Sequence, residues 1–237
     1  MPEIPESAIF ISGKILLIDK EINWTSFDVV NKIRIILKKQ LGIRKIKVGH
    51  AGTLDPLATG LVIVCTGKAT KSITEFQDLE KEYVAIIRLG NTTPSFDLET
   101  EIDKSYPTDH ITKEKVEIAL QHFLGEIDQI PPLFSAKYVN GTRAYELARK
   151  GEDIELKPNR VKIVYNELIS FELPFVKLRI VCSKGTYIRS LARDIGLELN
   201  SGAHLTELRR TRIGDFTVEQ AKTVNEFEKN LTGFETI

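Results

Sequence analysis

Apolar residues in this chain fall into short runs and helical spacings. Leu61, Val62, Ile63, Val64 and Cys65 are consecutive, which predicts a buried strand over 61–66. Phe27, Val30, Ile33 and Leu37 recur at helical spacing. Ser26 is a suitable N-cap for that helix, Lys38 and Lys39 suit the negative end of its dipole, and Gly42 ends it. Further strands are expected over 13–19, 83–89 and 205–213, and over 160–182 as two strands turned around Leu173, Pro174 and Phe175. Helices are expected over 69–78, over 112–123 and around Ile188, Leu191 and Ile195, with one or two terminal helical turns in 218–231. Strands and helices mix without a regular strand-helix-strand repeat, so the pattern favours an α+β sheet protein over a doubly wound one.

With 237 residues and 42% hydrophobic content, the chain can bury a sizeable core as one large domain or two small ones, and one is favoured. No run of eighteen apolar residues is present, and residues 1–12 lack the basic and apolar regions of a signal peptide, so a soluble, cytoplasmic protein is expected. Cys65 and Cys182 each sit in an apolar, strand-like run, where a reduced cysteine acts as a small core residue.

Charge changes the picture through its distribution. The 33 Lys and Arg balance the 33 Asp and Glu, and a neutral total by itself argues against a nucleic-acid partner. Yet residues 29–54 hold no acid, and they include Lys32, Arg34, Lys38, Lys39, Arg44, Lys45, Lys47 and His50. Blocks of one sign commonly meet phosphate. Acids gather elsewhere, at Asp97, Glu99, Glu101 and Asp103 and in the tail after Asp215.

The basic block runs into a glycine-rich loop, Gly49-His50-Ala51-Gly52-Thr53-Leu54-Asp55-Pro56-Leu57-Ala58-Thr59-Gly60, which feeds the buried strand. Asp-Pro is common in plain turns. Here the glycines allow close approach of the backbone to a ligand, His50 and Thr53 add hydrogen-bonding groups, and a lone carboxylate ends a phosphate-binding surface. That setting invites a catalytic explanation.

This loop resembles the catalytic loop of the tRNA pseudouridine synthase B (TruB) family. Lys81-Glu82-Tyr83 with Leu89-Gly90 is similar to a second family motif, and Ile130-Pro131-Pro132-Leu133-Phe134-Ser135-Ala136-Lys137, with Gly141 and Tyr145, to a third. Ser183-Lys184-Gly185-Thr186-Tyr187-Ile188-Arg189 follows, then Gly202-Ala203-His204-Leu205 and Leu208-Arg209-Arg210-Thr211-Arg212. The matches run in order over about 13–216. They imply a pseudouridine synthase fold, a mixed, mainly antiparallel sheet flanked by helices and loops. They also imply a single catalytic domain over 1–237 with a short tail, 217–237, that leaves no room for the C-terminal PUA domain of longer members.

The activity implied is isomerisation of uridine 55 in the TΨC loop of tRNA to pseudouridine, without metal or organic cofactor, by a monomer. By the resemblance Asp55 is the catalytic carboxylate, as nucleophile on the sugar or the base or as stabiliser and base for an intermediate. Arg189 is its cationic partner and Tyr83 stacks on the flipped ring. His50, Gly52, Thr53 and Leu54 meet RNA with Lys68, and Tyr187 and Leu205 line the base pocket. Lys45, Lys47, Arg209, Arg210 and Arg212 are expected at phosphate, with Arg210 and Arg212 on one strand face and Arg209 on the other. Lys137, Arg143 and Arg149 are expected as further backbone contacts. Phe134 stands where many relatives carry Tyr.

Other classes fit less well. Gly67-Lys68 lacks the spaced glycine and the Ser or Thr of a P-loop. The four histidines lie far apart, and neither cysteine has a ligand-spaced neighbour. A glycosidase-like hydrolase needs a second positioned carboxylate, and Asp97, the nearest candidate, sits among acids that would repel RNA. The rival reading is an RNA-binding or tRNA-folding module without turnover. The joint presence of Asp55, Tyr83 and Arg189 favours the enzyme, since binding alone does not need an anion facing RNA.

Overall fold

The structure is a computed structural model and describes residues 5–135, 137–139, 141–152 and 155–232. Ala136 of the third motif, the first four residues of the 1–12 segment and residues 233–237 of the tail lie outside the described residues. In chain order the elements are α1 (Glu6–Ser12), β1 (Ile15–Lys20), α2 (Ser26–Leu41), β2 (Val48–His50), β3 (Thr59–Thr66), α3 (Ile73–Asp78), β4 (Lys81–Leu89), β5 (Asn91–Thr92) and β6 (Lys104–Ser105). Then follow α4 (Lys113–His122), β7 (Gly125–Gln129), β8 (Tyr138–Val139), β9 (Thr142–Arg143), α5 (Ala144–Arg149), β10 (Asn159–Glu172), β11 (Phe175–Cys182), α6 (Ile188–Glu198), β12 (Ala203–Ile213), β13 (Phe216–Thr217) and α7 (Val224–Thr232).

The chain forms two compact units, one running to Lys81 and resuming at Arg209, the other spanning Glu82–Leu208. Strand β12 crosses the boundary in sequence and contributes residues to both.

In the first unit β3 is central. It pairs antiparallel with β1, Ile15 opposite Cys65 and Lys20 opposite Gly60. Along its other edge it takes β2 antiparallel, with His50 opposite Val64, and the end of β12 in parallel, with Arg210 opposite Gly60. Every β3 residue from Gly60 to Thr66 is buried, which is why its sequence is continuously apolar instead of alternating. One face packs with Ala51, Ile213 and Val218 against Ile73, Phe76 and Leu79. Helix α2 packs against β2, α1 and α7.

Two details of α2 differ from expectation. Its N-cap is Thr25, one residue earlier, because Asp28 completes a reciprocal capping box with Thr25. Phe27 is 60% exposed, and the buried stripe is Val29, Val30, Ile33, Ile36 and Leu37. The C-terminus does stop at Gly42, in the left-handed conformation with φ 63°.

In the second unit the strand order is β12, β4, β11, β10, β7. The long hairpin of β10 and β11 turns at residues 173–174, as its sequence suggests, and β7 pairs antiparallel with the start of β10. Helices α4 and α6 touch each other, and α4 lies on β10. β4 alternates strictly, with Tyr83, Ala85, Ile87 and Leu89 on its buried face. The architecture is α+β, a mixed sheet with flanking helices. Residues 69–78 begin as a 3-10 turn before α3, and the tail holds a 3-10 turn and the nine-residue α7.

Candidate active site

The Asp55 loop leaves β2 at His50 and enters β3 at Thr59, so both ends are fixed to one edge of the same strand pair. Between those ends its carbonyls are held by buried cations. Arg210, 1% exposed, donates from Nε to Leu61 O at 2.7 Å, from Nη2 to Gly52 O at 3.2 Å and from Nη1 to Thr53 O at 3.4 Å. Lys20, fully enclosed, donates from Nζ to Glu21 O at 3.0 Å, Trp24 O at 2.7 Å and Pro56 O at 3.4 Å. The first turn of α2 adds Ser26, whose hydroxyl accepts from Leu54 N at 2.9 Å. Gly60 lets the strands come this close. Its φ is +107°, and a Cβ there would run into the Arg210 carbonyl.

The result is a rigid loop that carries Asp55 half-buried and Thr53 exposed, with Leu54 tucked inside. His50, half-buried, has its pKa lowered by burial, opposed by a hydrogen bond with the Gly52 backbone and reinforced by the Arg210 charge. Its ring is thus neutral near pH 7. The thiol of Cys65 on β3 is pushed up to about 11 by burial, so it is an inert core group, and Cys182 is likewise buried.

The basic block separates into held and exposed parts. Lys32 pairs with Glu228 at 3.0 Å, and Arg34 bonds to Asn31 and to Val48 O. Ile43, Ile46 and Val48 are buried and anchor the segment after α2, which leaves Lys38, Lys39, Arg44, Lys45 and Lys47 exposed. Lys68 is exposed as well.

Among the three arginines of β12, enclosure sets Arg210 alone apart from the phosphate role expected of it. Arg210 is enclosed and grips the loop. Arg209 makes a two-pronged pair with Asp19, at 2.7 and 3.1 Å, and Arg212 donates to Gly214 O at 2.8 Å. All three guanidinium groups bond to protein.

In the second unit a further cluster forms at the start of α6. Arg189, 4% exposed, donates to Ser95 O at 3.3 Å and Phe134 O at 3.1 Å and lies 3.5 Å from the Asp97 carboxylate. Asp97, buried at 5% exposure, also accepts from Glu99 N at 2.9 Å. It is therefore the charge partner of an arginine and not part of an acidic surface. Gln129 brackets Tyr187, donating to its carbonyl at 3.1 Å and accepting from its N–H at 2.8 Å, and Ser190 donates to Ile130 O at 2.7 Å. The third and fourth motifs thus meet within one unit. Leu205 is buried and donates its N–H to Phe96 O at 2.9 Å. Of the outer cations, Lys137 bonds to Lys157 O and Asn159, Arg143 lies over the Tyr138 ring at 3.8 Å, and Arg149 pairs with Glu99 at 2.7 Å.

The preorganised loop that carries the half-buried Asp55 is also the segment with which the sequence resemblance begins. The family model described as TruB family pseudouridylate synthase (N terminal domain) matches residues 38–188. The chain belongs to the TruB family of pseudouridylate synthases. The tRNA pseudouridylate synthase B C-terminal domain model matches residues 189–235. The chain is 63% identical over 222 residues to tRNA pseudouridine synthase B of Phocaeicola vulgatus, and 61% identical over 222 residues to that of Parabacteroides distasonis, covering 94% of both partners in each case.

Among solved structures it is similar to a chain of a Cbf5-Nop10-Gar1 complex, with a TM-score of 0.72 at 31% identity. It is also similar to a chain of an H/ACA RNP bound to a substrate RNA containing 2'-deoxyuridine, with a TM-score of 0.69 at 29% identity. It covers 97% and 96% of itself in these matches, and spans 59% and 58% of the solved chains. The fold is the pseudouridine synthase fold, and the chain is an isomerase of a family that acts on RNA. Among the described residues no helix is long and apolar enough to cross a membrane.

Sequence reasoning missed three residues of these clusters. Lys20 ends an apolar strand, and an unexplained lysine there was its one signal. Gln129 and the pairing of Asp97 gave none, because their partners lie 58 and 92 positions along the chain.

Proposed function

We propose that this chain is a tRNA pseudouridine synthase that converts uridine 55 of the TΨC loop to pseudouridine, with Asp55 as its catalytic carboxylate. The observation that carries the reading is the setting of Asp55, a half-buried anion on a loop whose neighbouring backbone groups are fixed by Arg210, Lys20 and Ser26. Such a loop pays its ordering entropy on folding and not during the reaction. The isomerisation breaks the bond from N1 to the sugar and makes one from C5. The C5 proton leaves and N1 ends protonated, so atoms and electrons balance without a redox partner. Asp55 acts either at the anomeric carbon or at the base.

The target base must leave its stack, which costs on the order of a few kcal/mol, and an aromatic stack returns about 1 to 3 kcal/mol. By their motifs, Tyr83 stacks on the flipped ring, Arg189 is the cationic partner of Asp55, and Tyr187 and Leu205 line the base pocket. His50, Gly52 and Thr53 face the RNA backbone near the target, with Leu54 packed behind them. The exposed Lys38, Lys39, Arg44, Lys45, Lys47 and Lys68 supply the phosphate contacts. The protein works as a monomer in the cytoplasm on the TΨC stem-loop.

The test is single-turnover formation of pseudouridine on an unmodified tRNA transcript, mapped by nucleotide position, alongside filter binding. Asp55→Asn keeps size and polarity but removes the charge. It is expected to abolish turnover while affinity stays within about tenfold of wild type, or about 1.4 kcal/mol. Pseudouridine formed by this variant, with deamidation excluded by mass spectrometry, overturns the catalytic assignment and leaves the RNA-binding reading.

A further inference from the structure

Strand β10 runs from Asn159 to Glu172, and β11 lies along one side of it. On the other side β7 pairs only with residues 159–163. Over 164–172 no strand pairs with that second edge, and no loop backbone bonds to it, among the described residues. Its outward N–H and C=O groups therefore form a template for another extended chain.

The free edge borders an open groove of about 480 Å³ between β10 and α4, lined by Glu114, Glu117 and Ile118 of the helix and by Asn166, Glu167 and Leu168 of the strand. Three carboxylates and no cation line it. Lys113 and Arg179 approach Glu117 and Glu167 at 3.7 and 3.8 Å, in solvent-exposed pairs that contribute little. Ile118, 58% exposed, sets an apolar side chain beside the acids.

Asn166 is a second and independent sign of a ligand. It is 7% exposed, its Nδ2 donates to Leu120 O at 2.8 Å, and its Oδ1 meets no donor among the described residues. The bond to Leu120 fixes which way the amide faces, so the orphan is an acceptor. A buried acceptor without a donor is costly, and an N–H or ammonium brought into the groove removes that cost.

We propose that the edge of β10 beside α4 is a docking site for a short, extended, basic segment of another polypeptide. The segment adds a strand at 165–168 and sets lysine or arginine against Glu114, Glu117 and Glu167. Its shortness follows from the pairing of β10 with β11, which shifts between Ile163 and Tyr165 and again between Leu168 and Ser170. Such irregularities bend a strand and turn a longer partner away at both ends. They also count against a second copy of this chain, whose own β10 would bring Glu167 onto an acidic groove. None of these residues belongs to the catalytic or RNA-binding set, so the proposal stands whether or not Asp55 is catalytic.

The probe is an acetylated and amidated hexapeptide of alternating lysine and valine, titrated into the full chain and followed by fluorescence anisotropy and backbone NMR. Saturable one-to-one binding is expected, with shifts centred on 165–168 and α4 and with slowed exchange of the β10 amides. N-methylation of the valines in one peptide, and of the lysines in another, removes each set of backbone donors in turn. One of the two should bind about tenfold more weakly. Glu114→Lys with Glu117→Lys should also weaken binding about tenfold, with circular dichroism and the single-turnover rate on the stem-loop unchanged. A peptide with glutamate in place of lysine should not bind. If both methylated peptides bind as well as the parent, or spermidine displaces it fully, the site is only an acidic patch and the added strand is overturned. No saturation at millimolar peptide, or shifts that fall outside α4 and β10, also overturns the proposal. Sedimentation tests the remaining occupant: a dimer that Ile169→Lys dissociates would give the edge to a second copy and overturn it, whereas a monomer whose edge amides exchange freely supports it.

Discussion

The cations of the first unit form two populations. Lys20 and Arg210 are enclosed and turned onto carbonyls of the Asp55 loop and its surroundings, whereas Lys38, Lys39, Arg44, Lys45 and Lys47 stand in solvent. A buried ammonium or guanidinium loses its hydration and must find acceptors, so it fixes whichever carbonyls it meets. An exposed one keeps its water and is free to exchange small counterions for phosphate. The same residue types thus build the loop in one place and recruit the substrate in another. Net charge, zero over the whole chain, reports neither role.

Removing a cation from each population separates the two roles. Arg210→Met is expected to have the largest effect, because the Gly52, Thr53 and Leu61 carbonyls lose their donor in a closed site. Each buried acceptor left unsatisfied costs about 1 to 3 kcal/mol, so unfolding free energy should drop by about 3 to 5 kcal/mol, with turnover lost even at temperatures where the variant is folded. Denaturant melts and single-turnover rates measure both. A variant of near wild-type stability would show that the guanidinium is a passenger of the loop.

Lys45→Glu with Lys47→Glu should act the other way round. Both side chains are exposed, so stability should change little, while stem-loop affinity falls by about 10- to 100-fold, or about 1.4 to 2.7 kcal/mol. The slope of log affinity against log salt should become shallower by roughly 0.7 to 0.9 for each phosphate that the protein no longer neutralises. An unchanged slope would move the RNA surface away from the segment that follows α2.

How far the sequence carried these distinctions depends on the range of the interaction. The Asp55 loop, the apolar β3 and the β10 and β11 turn at Leu173 and Pro174 were all legible, since each is fixed by residues adjacent in the chain. Phe27 and Ile36 were not. Helical spacing defines a stripe, but packing against β2, α1 and α7 decides which way the stripe faces, and it buries Ile36 and leaves Phe27 out. Arg210 reads as a phosphate ligand in sequence because arginine in a basic strand is usually exposed. Only the parallel pairing of β12 beside Gly60 encloses it. The cap at Thr25 was within reach, as Asp28 stands three residues on, but the adjacent Ser26 offered an equal hydroxyl. That hydroxyl is used across the fold instead, on Leu54.

Lys32 tests the boundary between the two populations and should give the smallest effect. In sequence it opens the acid-free block and is indistinguishable from Lys45. In the structure its ammonium lies 3.0 Å from Glu228 on α7, with side-chain exposures of 37% and 33% for the two residues. A pair this open to solvent contributes about 0.2 to 1 kcal/mol, reduced further by salt, so Lys32→Gln should lower stability by no more than that. Its charge is already matched within the protein, so the variant should release no fewer counterions on binding RNA. Stem-loop affinity should stay within about twofold of wild type, or about 0.4 kcal/mol, and the salt slope should be unchanged. The measurement is filter binding across a salt series, run beside the Lys45 and Lys47 double variant. If Lys32→Gln lowered affinity and slope as removal of a single exposed lysine does, the Glu228 pair would be open in solution, and the division into held and exposed cations would begin one turn further along α2.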